Sequence, residues 1–134
     1  MAGLLACADM ARGYLVGPAL SLDKLTEEAD IIFKGRAVSG GPVQDEWFKP
    51  YNGFIACQTE FKVVSVSKGE ARSDKVMFRH YDQSPDPRGY WFQPQYYHFE
   101  AGSTYIVFAK RSGPDGVVRQ LWMNHNSKRL LQKP

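Results

Sequence analysis

The chain has 134 residues, 17 Lys+Arg against 14 Asp+Glu, 18 aromatics (8 Phe, 7 Tyr, 3 Trp) and two Cys. That length fits one domain, leaves little room for two, and can bury enough surface to build a core without covalent staples. Two Cys exclude a disulfide scaffold or a Cys-rich zinc module, a net charge of +3 does not demand an anionic partner, and no apolar run approaches the ~20 residues of a membrane helix.

Residues 1–20, MAGLLACADMARGYLVGPAL, read as an address segment. Leu4-Leu5-Ala6-Cys7-Ala8 has an apolar stretch ending in small-x-small residues, like the end of a secretory signal. Leu4-Leu5-Ala6-Cys7 is also similar to a bacterial lipobox, in which Cys7 is lipidated. Only six residues precede Cys7, fewer than a signal needs, so a start upstream of Met1 would complete it. An unprocessed terminus is the third reading. The set favours export (secreted, periplasmic or lipid-anchored) and leaves a cytoplasmic location open.

From Ser21 the chain reads as one domain, 21–134. Ser21 can cap a short helix ending near Ala29, with Asp23 in its first turn and Leu22, Leu25 and Ala29 on one face. Ile31–Val38 is β-rich, buried on both faces in its first half, with Gly35 marking a bulge. Residues 39–53 carry loop punctuation, yet Trp47, Phe48 and Tyr51 are costly to expose, so they either pack back or form a contact surface. From Ile55 the odd positions Ile55, Cys57, Thr59, Phe61 and Val63 alternate with Gln58, Glu60 and Lys62, a half-buried strand that ends at Lys68-Gly69. Lys75–Tyr81 is another, with Val76, Phe78 and His80 on one side. Residues 82–99 hold three prolines and six aromatics, which favours a packed loop over helix, strand or linker. Thr104–Lys110 reads as a buried strand, 112–116 as a hairpin, and Val117–Met123 as the return. A short basic helix is expected in Asn126–Pro134. Five strands with few helices predict an all-β fold, a sandwich or small barrel.

Ala29-Asp30-Ile31-Ile32-Phe33-Lys34-Gly35-Arg36-Ala37-Val38, Phe61–Gly69 with its Lys-Gly ending, Gly102-Ser-Thr-Tyr-Ile-Val-Phe108, and Leu121-Trp122 with its basic tail occur in an order that resembles the tissue inhibitors of metalloproteinases and their netrin-like relatives. The style is that of Cys-poor bacterial secreted proteins of this type. The resemblance implies a five-stranded Greek-key barrel of the OB (oligonucleotide/oligosaccharide-binding) type, with short N-terminal and C-terminal helices. In the inhibitors the mature chain begins Cys-x-Cys, and the first Cys chelates the protease zinc. Cys7 matches that residue, but Asp9 stands where the second Cys would be. The family's disulfides are missing, and Cys7–Cys57 is the one pairing the composition allows.

The remaining chemistry is sparse. His80, His98 and His125 lack metal-ligand spacing, and Cys57 on a core face is expected to be inert. Asp82, Asp86 and Glu100 flank the aromatic loop without a nucleophile motif or phosphate loop, so no enzyme, metal or cofactor is expected. Arg79, Arg88, Lys110, Arg111, Arg119, Lys128, Arg129 and Lys133, with Trp91, Tyr96 and Tyr97, make a single-stranded nucleic-acid binder an alternative. A zinc-protease inhibitor acting through Cys7 is another. The favoured expectation is a non-enzymatic module that binds a protein partner through Trp47, Phe48, Tyr51, Tyr90, Trp91, Phe92, Tyr96 and Tyr97.

Overall fold

The protein is described by a computed structural model over residues 15–16, 21–49, 51, 53–85, 95–111 and 116–121. Cys7, Tyr90, Trp91, Phe92 and the helix expected in 126–134 lie outside these residues. Strand β1 is Leu15–Val16, and helix α1 is Leu22–Glu28. Strands β2 (Ile31–Pro42), β3 (Phe54–Lys68), β4 (Lys75–Gln83), β5 (Thr104–Arg111) and β6 (Val117–Gln120) follow.

Strands β2 to β6 close on themselves. β2 pairs antiparallel with β3, β3 with β4 and β5 with β2, while β6 runs parallel to β4 and antiparallel to β5. This is the five-stranded Greek-key barrel of OB type. β1 adds in parallel to β5 through Leu15↔Ile106 and Val16↔Val107. Among the described residues no helix is long and apolar enough to cross a membrane.

Alternation puts one residue in two inside the barrel. Phe61, Val76, Phe78, Tyr105, Val107 and Val118 meet there, with Ile31 and Phe33 from the start of β2. Ile32, between them, faces outward and is buried beneath α1 with Leu25, Ala29 and Phe108. That explains the fully apolar start of β2. Leu22 was expected on the same helix face but is exposed. The helix has seven residues, and only its Leu25–Ala29 ledge reaches Ile32 and Phe108.

One of the three register shifts between β2 and β3 falls between Lys34 and Gly35, where the sequence places a bulge. A Cβ at Gly35 would stand 2.9 Å from the Phe33 ring and 3.1 Å from Phe61 Cβ, so glycine lets the two rings close the core. The Lys68-Gly69 ending also has a physical reason. Lys68 Nζ donates to the carbonyls of Thr26 (2.7 Å) and Glu27 (3.3 Å), supplying the cation that the last turn of α1 lacks. Gly69 turns the chain at φ +75° against the Asp30 backbone, where a side chain would be strained and would collide.

Residues 95–103 seal the barrel in place of a helix. Phe99 packs edge-on against Phe61 (5.0 Å) and Tyr105 (4.9 Å), and the Tyr97 N–H donates to the Tyr81 carbonyl (2.9 Å). Fully buried Gln120 ties this segment to the strands: its Oε1 accepts from Tyr81 N–H (2.8 Å) and its Nε2 donates to the Gln95 carbonyl (2.9 Å). Tyr97 and Phe99 thus pack as the aromatic composition predicts, whereas Tyr96 is exposed.

Candidate functional site

The loop after β2 does not hang free. It folds across the outer face of β3, β4 and β6, and Asp45 fixes it there. Asp45 Oδ1 accepts from the Trp47 N–H (3.0 Å), which makes a local turn. Oδ2 accepts from Arg79 Nη1 on β4 (2.8 Å) and from Arg119 Nη2 on β6 (3.4 Å). Arg79 is held from its other side, where Nε donates to Gln58 Oε1 (2.8 Å). Burial opposes ionisation of Asp45, but the Arg79 and Trp47 hydrogen bonds and the charges of Arg119 and Arg79 outweigh it and hold its pKa below the ordinary value.

An aromatic cluster lies beside this clamp on the same outer face. Phe48, Phe54 and Tyr81 form a small second core, with Tyr51 and Ala56 at its margin. Phe48 and Tyr51 stand edge-on to Tyr81 at 4.9 and 5.6 Å. Tyr81 Oη donates to the Lys49 carbonyl (2.6 Å), pinning the far end of the loop. The cluster has two exposed ends. Trp47, 45% exposed, stands edge-on to Phe48 and has the Arg119 guanidinium 4.9 Å from its ring centre. Tyr96, 38% exposed, leans on Phe54 at 5.1 Å. The two aromatic stretches, distant in sequence, thus meet on one surface.

The expected contact residues therefore divide. Trp47 and Tyr96 present surface. Phe48, only 7% exposed, and half-buried Tyr51 support the loop. Tyr97 is half-buried and packs toward Phe78 and Phe99, away from the clamp. Sequence reading missed Asp45 altogether. Its signal was the Asp-Glu-Trp spacing of an Asx turn; the two arginines it joins became visible only with the β4–β6 pairing.

The inner side of β3 and β4 builds a different environment. Cys57 and His80 are register partners, and Ile55 faces Asp82. The His80 Nδ1 lies 2.9 Å from the Tyr81 carbonyl, which can only accept, so the neutral ring carries its proton there. The Nε2 then accepts the Thr59 hydroxyl at 2.9 Å. Burial, opposed by the Tyr81 carbonyl and Asp82, pushes His80 down to about 4. Asp82 Oδ2 meets exposed His98 Nδ1 at 2.9 Å, and its Oδ1 accepts from the Gln83 N–H at 2.6 Å. These groups line a cavity of about 360 Å³ with Ser39–Pro42, Phe99 and Ala101; Glu100, which also flanks the aromatic loop, is exposed and not part of its wall. Asp86 lies outside the described residues.

Cys57 is a free, buried thiol, as its place on the odd face of β3 predicts. Burial, then the Asp82 charge, pushes it up to about 11. Little thiolate forms at neutral pH, so iodoacetamide should label Cys57 far more slowly in the folded chain than after denaturation. Equal rates would contradict this placement. Among the described residues no three His, Cys, Asp or Glu are grouped to hold a metal ion. Comparison with protein-family models, with curated sequences and with solved structures yields no match.

Proposed function

We propose that this chain is an exported, non-enzymatic binding module of the tissue-inhibitor and netrin-like kind, and that it holds a protein partner through Trp47 and Tyr96. The observation that carries the reading is Trp47: a large ring left exposed on a loop that Asp45 and Tyr81 hold fixed. A rigid aromatic beside an arginine is the usual chemistry of an interface hot spot, because little side-chain freedom is lost on binding. The segments that resemble the inhibitors fall on β2, β3 and β5.

The single-strand alternative draws less support. The loop that OB barrels use with the β3–β4 face to reach nucleic acid is here folded onto that face. Arg79 and Arg119, which would meet phosphates, already hold the Asp45 carboxylate. Zinc-protease inhibition would rest on Cys7, outside the described residues.

Trp47→Ala tests the reading because the Asp45 bond to the residue 47 backbone survives it. Wild type should retain a protein from its own compartment, and Trp47→Ala should bind that protein roughly 30-fold more weakly, the loss of a ~2 kcal/mol hot spot. Equal binding by the variant would overturn the proposal. So would oligonucleotide binding that falls steeply with added salt.

A further inference from the structure

We propose that the cavity at the inner mouth of the barrel, between Asp82 and Thr59, is a binding site for an organic ammonium group carried on an apolar stem. The charge of the wall points to a cation. Among the described residues, Asp82 is the acidic group of the lining, and no lysine or arginine helps to form it. Its field reaches the floor: the Asp82 charge contributes to the upward shift of Cys57, and it opposes the downward shift of His80. The Asp82 side chain is 19% exposed, so the carboxylate is partly sheltered yet open to a ligand.

Asp82 is the acceptor for the ammonium group, while Thr59, four residues along β3 from the partner of Asp82, lies at the other end of the cavity. Among the described residues each Asp82 oxygen has one neighbour, the Gln83 N–H or His98, and a carboxylate can accept about four hydrogen bonds. Thr59 gives its proton to His80 Nε2, because the other imidazole nitrogen is committed to the Tyr81 carbonyl. The hydroxyl is then left with acceptor capacity only. Gly40 is essential to the space at this point. A Cβ there would stand 2.9 Å from Thr59 Oγ1 and 3.0 Å from the Gln58 carbonyl, covering the hydroxyl.

The rest of the wall suits an alkyl stem. Ala37, Pro42, Ile55, Phe99 and Ala101 contribute apolar surface beside the polar floor. A volume of about 360 Å³ lies at the small end of ligand sites and has room for an aliphatic amine. The group can come from a free alkylamine or polyamine, or from a lysine side chain of a protein. This site is independent of the Trp47 surface, since the two lie on opposite faces of the β3–β4 pair.

Titration with n-butylammonium, followed by NMR at His98 and Phe99, is the direct test. Wild type should show saturable shifts, and n-butanol, of the same shape and no charge, should bind at least tenfold more weakly. Equal binding of the alcohol would make the cavity merely apolar and overturn the proposal without needing a variant. Asp82→Asn, checked for an unchanged fold by the same spectra, should weaken n-butylammonium at least tenfold; unchanged affinity would also overturn it. Spermidine and Nα-acetyl-lysine methylamide then separate the sources: tighter binding of the first supports a free polyamine, and of the second a protein lysine.

Discussion

Replacing Asp45 with Asn should lower stability by about 3 kcal/mol, the low end of the cost of breaking a buried ion pair, and should lower Tm by roughly 10 °C. The two side chains have the same shape, so the loss is electrical. Oδ1 would still accept from the Trp47 N–H. The Asn Nδ2, however, is a donor placed where Oδ2 now accepts from two guanidinium groups. Arg119 and Arg79 have side chains only 9% and 21% exposed, so water can replace the lost carboxylate poorly. The pair of Lys75 with Glu60 provides the contrast. It is 3.9 Å long, and its lysine is largely exposed, so Glu60→Gln should change stability by no more than about 0.5 kcal/mol. Denaturant titrations of the two variants would check the argument. An Asp45→Asn change as mild as Glu60→Gln would remove Asp45 from its central place.

The same clamp gives a pH signature. The folded pKa of Asp45 lies below its ordinary value of 3.8. Its contribution is therefore fully present above that value and is lost as pH falls through the lower, folded one. Asp45→Asn should remove this strongly acidic component. The clamp also links stability to binding, because it sets the direction of Trp47. A chain that loses Asp45 should lose partner affinity along with part of its stability, whereas Trp47→Ala should lose affinity with little change in stability.

Much of the barrel was legible because its strands obey a simple period. The odd residues from Cys57 to Phe61 and the even residues from Val76 to His80 are buried, as alternation requires. Ser21 capped its helix and Gly35 marked its bulge for local reasons that need no knowledge of the tertiary fold. Barrel closure also followed from the ordered segments that carry the family resemblance. The site was less legible because its parts come from different strands. Asp45, Arg79 and Arg119 become neighbours only when β6 enters parallel to β4. Phe48 and Trp47 are adjacent aromatics in the sequence, yet one supports and the other projects. Composition cannot separate them, because the division depends on where the Tyr81 ring stands on the sheet below.

Acidification from neutral pH to about 4 should cost the fold about 3 kcal/mol through His80, a loss that begins above the range in which the carboxylates titrate. The sign follows from where the proton binds. The unfolded chain takes it up near the ordinary value of 6.5, whereas burial keeps the folded ring neutral down to about 4. Above that interval neither state is protonated, and stability is complete. Within it only the unfolded state gains a proton, so stability falls steadily with pH. Near 4 the folded ring protonates too, and the loss from this group stops growing. The neutral form is built in by geometry: Nδ1–H donates to Tyr81, Nε2 accepts from Thr59, and the ring stacks on Phe78 at 5.4 Å and meets Phe99 edge-on at 4.9 Å. His80→Asn keeps a donor for the Tyr81 carbonyl but cannot titrate. It should be less stable at neutral pH by about 1–3 kcal/mol, because ring contacts are lost, and its stability should fall much less steeply than that of wild type between about pH 6.5 and 4. Denaturant titrations across that range would measure both slopes, and the imidazole NMR signals of wild type should show a midpoint near 4. A midpoint close to 6.5, or an equal slope in His80→Asn, would mean that the ring is open to water and that the inner mouth is not the sheltered site the barrel makes it.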